Sequence, residues 1–511
     1  MFSKWILPVW RTFTGYFSRR QFYEPGGYAE IWHIAWPLII LSASNTVMMI
    51  TNRVFLAWDS KDEVAASMPA SQMFFTLMAF FLITTSFTAT IVAQHHGSDN
   101  REGCIRATWN GFYFGAIVAA ILAYLLPVGG AWILTHNGHH PQIAAYEAEY
   151  FVAISPCAGL ICMETPFLSF FTGRGKTRIV ACIKILGCLI SIPLNYIFVF
   201  GKLGLPPMGI LGAGFASTIA SLCSLCISAS CFLLVNQKEY ETRRHKRFHM
   251  EYIRKLLCFG TPAGFQTFLR NAAFACVIIM IGRLGNEELA ATSIALSINM
   301  IGNMPMIGLM DATSIITGQY IGKRRLLVAE RIAGRSLRIL FVWMISISVI
   351  YLVYPQLLIH IFDSQNQGTT QMDNARITEY VILILRLAVI FNLLDATRFI
   401  AMGSLRGAGD TFVPLLIGLA TSWLIQIPGT VYLVYVAHAS IGSVWLFITI
   451  YIAIDAFFML WRRRSGAWKK IRVIDLPPPP PEEEEEEARL AAGAGPAAEP
   501  GNISVPREEK G

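Results

Sequence analysis

Charge is scarce in this chain of 511 residues: Asp, Glu, Lys and Arg make up 14% of it. A soluble globular domain carries about a quarter, so an ordinary water-facing surface is excluded. The alternating ten-residue pattern of an outer-membrane barrel is missing too, and any membrane-spanning segment must then be a helix. No HExxH, GxSxG or Asp-rich metal motif occurs, which removes the usual signatures of an enzyme. Cysteines number ten, almost all in apolar runs where the residue packs as a small apolar side chain. Cys223 and Cys226 have C-x-x-C spacing but no second pair, and read as helix packing.

Apolar sequence is what the chain has in abundance, 54% of residues with a mean hydropathy of +0.50. Runs of about 18 or more apolar residues recur about twelve times, each able to cross ~30 Å of hydrocarbon. The expected fold class is therefore all-α integral membrane. The second half reads as six spans near residues 256–283, 289–319, 337–362, 377–402, 412–436 and 441–464. The formal net charge of +8 does not point to nucleic acid. About thirty of the Lys and Arg fall in one set of alternating loops and about four in the other, the positive-inside bias. Both termini are expected in the cytoplasm, with the chain crossing the inner (plasma) membrane.

Composition divides the chain further. Residues 1–29 mix Trp5, Trp10 and Phe17 with Lys4, Arg11 and Arg19, as suits an arm on the inner membrane surface, with no cleavable signal evident. Residues 30–235 and 256–464 form two six-helix bundles. The linker between them, 236–255, is basic through Arg243, Arg244, Lys246 and Arg247. From 465 to 511 the chain turns to PPPPPEEEEEE and then Ala, Gly and Pro, a flexible acidic tail. The histidines of residues 135–142 lack a partner acid or cysteine and read as solvated.

The halves repeat each other. FNLLDATRFIAMGSLRGAGDTFVP (391–414) matches ETPFLSFFTGRGKTR (164–178) at a shift of about 235, and Pro193 then falls on Pro428. Pro37 matches Pro262, and AQHHG (93–97) matches GQYIG (318–322), at a shift of about 225. In an apolar chain such symmetry is a transporter signature. GRGKT is not a phosphate loop, because Phe170 stands where the loop needs its first glycine.

Ionisable groups within spans are costly and are the functional candidates. Arg53 and Asp455 lie near enough to span ends to reach the interface, and Lys184 and Arg386 within about two turns of one. Arg270, Asp311 and Asp395 lie deeper. Asp395 and Arg398 can pair on one helix face. Arg270 either pairs with Asp311 or Asp395 as a buried lock, or one of these acids exchanges a proton or sodium ion in competition with a substrate cation. Glu164 stands alone as a carboxylate deep in the first half, in a cavity-lining stretch or as a packed, protonated acid.

Several stretches together carry a family resemblance: PLNYIFVFGKLGLPPMGILGAGFAST (193–218), GSLRGAGDT (403–411), the loop starts at Gln94 and Gln319, and the turns at Gly173 and Gly407. Over about residues 30–464 the chain resembles the multidrug and toxic compound extrusion (MATE) transporters. The resemblance implies two six-helix bundles related by a pseudo-two-fold axis around a V-shaped cavity. It also implies efflux of amphipathic, often cationic compounds against inward proton or sodium flow, by a monomer in contact with membrane lipids and without a cofactor. Asp395 falls where the family often has a tenth-helix aspartate, and Asn52 where its first helix usually carries one. Asn195 and Ser217 fall on positions that help bind the first-half cation in some members, while Arg270 stands where sodium-driven members often have a glutamate. Asn52 cannot titrate, so coupling is expected at Asp395 and Asp311, set against Arg270 and Arg398. The alternative reading is a flippase for a lipid-linked or other anionic lipid, which intramembrane arginines would suit.

Overall fold

An apolar run in lipid can satisfy its backbone only as a helix or a closed barrel, and these runs are helical. The computed structural model describes residues 22–59, 61–130, 141–202, 204, 206–235, 240–363 and 371–475. The basic arm before residue 22, most of the histidine loop and the acidic run after residue 475 lie outside the described residues. Among those described there is no strand, and twelve helical segments are long and apolar enough to cross a membrane.

In chain order the first half has α1 (Tyr28–Asp59), α2 (Lys61–Ser86, resumed as Thr88–Gly97), α3 (Arg101–Leu125, ending in the π turn Leu126–Gly130), α4 (Pro141–Gly173), α5 (Thr177–Phe200) and α6 (Gly209–Val235). The second has α7 (Met250–Ile281), α8 (Asn286–Gly322), α9 (Leu326–Val353), α10 (Gln371–Ala408), α11 (Phe412–Val436) and α12 (Ile441–Arg464). Local chemistry sets several ends. The Asn100 side chain caps α3 by accepting from the Gly103 amide at 2.7 Å. Gly201, left-handed at φ 63°, closes α5. Tyr354 leaves the helical region (φ −127°, ψ 44°) ahead of Pro355, so α9 stops and a separate short helix, Pro355–Asp363, begins.

Three expected boundaries are corrected. Residues 250–255, assigned to the linker, are the first turns of α7. The ninth span runs over Leu326–Val353 rather than 337–362, because Arg335, which looks like a loop residue, is buried. Its guanidinium pairs with Glu24 and donates to the Gly26 carbonyl at 2.7 Å. The flexible tail does not begin at 465, since Trp468, Val473 and Ile474 are each buried.

The halves are built alike. In the first, α4 packs against α2, α3 and α6; in the second, α10 packs against α8, α9 and α12. Gly403 and Gly407 let α10 approach the α8 backbone at Met310 and Ser314, where a Cβ would collide. The two bundles meet by reciprocal contacts, α1 on α8 and α7 on α2. At the basic-loop end the joint is mirrored atom for atom. Gln94 Nε2 donates to the Gly407 carbonyl at 3.0 Å, and Gln319 Nε2 donates to the Gly173 carbonyl at 2.7 Å. Gly97 lies against the Gln319 backbone and Gly322 against the Gln94 backbone. The chain after α12 crosses this seam. Trp468 packs into a second-half core with Ile400 and Met459, whereas Val473 and Ile474 join a first-half core with Phe87, Val92 and Phe171.

Candidate functional site

The repeated bundles hold two polar centres. In the first half, α1, α2, α4, α5 and α6 surround a cavity of about 340 Å³. Helix α1 contributes from Leu41 onward and α2 up to Leu82, the parts of both helices remote from the seam. The lining combines apolar Phe74, Phe75 and Met78 with polar Asn52, Ser217, Ser221, Ser224 and Lys184. Asn52 Nδ2 donates to Ser217 Oγ at 3.4 Å, and Ser217 donates to the Ala213 carbonyl at 3.0 Å.

Glu164 is wholly buried, with both oxygens engaged: Lys184 Nζ lies 2.6 Å from Oε2 and Ser224 Oγ donates to Oε1 at 2.6 Å. The carboxylate is thus paired, where a protonated packing acid was one of the readings. Lys184 does not reach for an interface, as its place near a span end suggested. Asn195 is buried outside the cavity lining and donates to the Ser191 carbonyl at 2.9 Å. The carbonyl oxygens of Asn52 and Asn195 have no hydrogen-bond partner.

The second half holds a charge network. Arg270 does not meet Asp311 or Asp395. Its Nη2 lies 3.1 Å from Asp455 Oδ2, an ion pair by distance without hydrogen-bond alignment. Arg398 bonds Asp395 Oδ1 and also stands 3.6 Å from Asp455. Two arginines and two aspartates are therefore interleaved, formally neutral and largely withdrawn from solvent. A π turn in α11, Ala420–Gln426, aims hydroxyls at the network: Thr421 Oγ1 donates to Asp455 Oδ1 at 3.1 Å, and Ser422 bonds Tyr451 at 3.1 Å. Asp311 stands apart, with Arg406 as its charged neighbour.

Asp455 is the residue that sequence reasoning missed. Its place near a span end suggests access to the interface, yet it has no exposed surface. A signal was present: a short aspartate cannot snorkel as Lys or Arg can, and it lies more than two turns inside α12. Among the described residues no group of three or more His, Cys, Asp or Glu could hold a metal.

The MatE family model matches residues 37–197 and 262–432, one match in each half. A "Probable multidrug resistance protein NorM" of Pseudomonas aeruginosa is 26% identical, over 93% of this chain and 96% of that protein. A "Multidrug resistance protein NorM" of Burkholderia vietnamiensis is also 26% identical, over 84% and 92%. Two solved structures share the fold. One, an "Outward-facing conformation of a multidrug resistance MATE family transporter of the MOP superfamily", has a TM-score of 0.77 at 19% identity, covering 86% of this chain and 96% of that one. The other, a MOP superfamily transporter from Pyrococcus furiosus, has a TM-score of 0.79 at 18% identity, covering 88% and 98%. The chain, with twelve membrane-length helical segments among its described residues, belongs to the MatE family and is a MATE transporter.

Proposed function

We propose that this transporter exports amphipathic small molecules by alternating access, driven by inward flow of protons or sodium ions. The observation that supports this most is the pairing of a seam with a chamber. The bundles are tied by Gln94 and Gln319 at the basic-loop end, and the first-half cavity sits on the far side of that tie. Opening the seam in exchange for closure at the other end moves the chamber from one face of the membrane to the other.

The second-half network is the proposed coupling centre. Protonating Asp395 would release Arg398 from its partner on the same helix and leave Arg270 and Arg398 to share Asp455. Two fixed guanidinium groups already neutralise the two carboxylates, which favours a proton over a sodium ion at this place. Asp311, which has Arg406 as its charged neighbour, is the second acid proposed to take part. The test is dye efflux from vesicles containing the purified protein, with imposed proton and sodium gradients compared side by side. Proton-driven efflux is expected and should be lost in Asp395→Asn. Undiminished gradient-driven efflux in that variant would remove Asp395 from the mechanism.

A further inference from the structure

Among the described residues that line the first-half cavity, Lys184 carries the one formal charge. Glu164, which balances it, contributes nothing to the cavity wall. Its side chain is 1% exposed against 22% for Lys184, and both of its oxygens are taken, by Lys184 and by Ser224. The chamber therefore meets an entering molecule with an ammonium group, its counter-charge held behind. A lysine ammonium has three donors. The bond to Glu164 uses one, and Ser221 and Ser224 also line the cavity. Phe74, Phe75 and Met78, on α2, are apolar parts of the same lining.

From this arrangement we infer that the cavity takes amphipathic organic carboxylates, the anionic group on Lys184 and the apolar body against Phe74 and Phe75. The inference rests on the export reading above and narrows its cargo. A cation would have to expel Lys184 from Glu164 before gaining a partner, and so break a buried ion pair that an anion leaves whole. A volume of about 340 Å³ suits one small ring system with a short acidic arm.

Three fluorescent probes with one dansyl ring system separate the classes: dansylglycine is anionic, dansylamide neutral and dansylcadaverine cationic. Binding is measured on the full chain in nanodiscs of zwitterionic lipid. Dansylglycine should bind tightest and dansylcadaverine weakest. Lys184→Met should weaken dansylglycine by about tenfold, the scale of one hydrogen bond to a charged group, and leave dansylamide unchanged. Lys184→Arg should keep the order. Should Lys184→Met fail to fold with Glu164 left unpaired, Lys184→Met with Glu164→Gln removes both charges, and the anion preference should vanish there. Equal or tighter binding of dansylcadaverine by the natural chain overturns the inference. So does displacement of dansylglycine by phosphatidylglycerol, which would assign the ammonium to a lipid headgroup. The same probes loaded into vesicles keep the two readings apart. If all three are expelled alike, only the carboxylate inference falls; if none moves under any gradient, the export reading falls with it.

Discussion

Asp455 illustrates how much one side chain can hold in a membrane interior. It is shared by Arg270 and Arg398 and receives the Thr421 hydroxyl, so its replacement leaves two guanidinium groups facing a single aspartate. Removing one partner from a buried ion pair costs about 3–5 kcal/mol. Asp455→Asn should accordingly lower the unfolding temperature of the detergent-purified protein. Adding Arg270→Gln should restore part of the loss, because the network is neutral again. If Asp455→Asn melts with the natural chain, pairing is not what holds these arginines. Asp395 differs in kind: its partner is three residues away on its own helix, so the pair constrains α10 alone rather than joining two helices.

The helices themselves owe their positions to small residues. Where α2 crosses α8, Gly97 and Gly322 bring two backbones into contact, and a methyl group on either would meet the other helix's main chain. Gly322→Ala is expected to prise the seam apart without touching the cavity or the charge network. Spin labels at Ser98 and Lys323, one on each side of the joint, should report a longer distance in this variant than in the natural chain. An unchanged distance would mean that the joint absorbs a methyl group by sliding, and that glycine there is not what sets the closed state. The π turn of α11 is a second device at this scale. Its wider helical turn puts Thr421 and Ser422 within reach of Asp455 and Tyr451 on α12.

For the whole molecule, the architecture was legible in the sequence because duplication leaves landmarks at nearly constant shifts, about 225 residues early in the halves and about 235 later. Gln94 with Gly407 and Gln319 with Gly173 are one contact made twice, and the repeat matches each of these residues to its counterpart. The charge partners were not legible. Arg270 and Asp455 are far apart in the chain, on helices whose facing sides no periodicity reveals. Lys184 and Glu164 sit on different helices, and the lysine was judged by its distance from a span end rather than by what stood opposite it. The residues beyond α12 were misread for a related reason. A composition heading towards proline and glutamate hides that Trp468 has a second-half core to enter and that Val473 and Ile474 have a first-half one. Val473→Asp with Ile474→Asp should therefore lengthen the same Ser98–Lys323 distance, although neither residue lies in a span. A distance that stays put would show that this segment rides on the seam without fastening it.

That segment also bears on how the protein is handled at the bench. Val473 rests against Gly409 of the second half while sharing a core with Phe171 of the first, so under the proposed alternating access the peptide would have to peel away each time the bundles part there. On that mechanism a fluorescent reporter or affinity handle fused downstream would be cargo hung on a moving hinge rather than an inert label, and turnover numbers from such fusions would belong to the burdened machine.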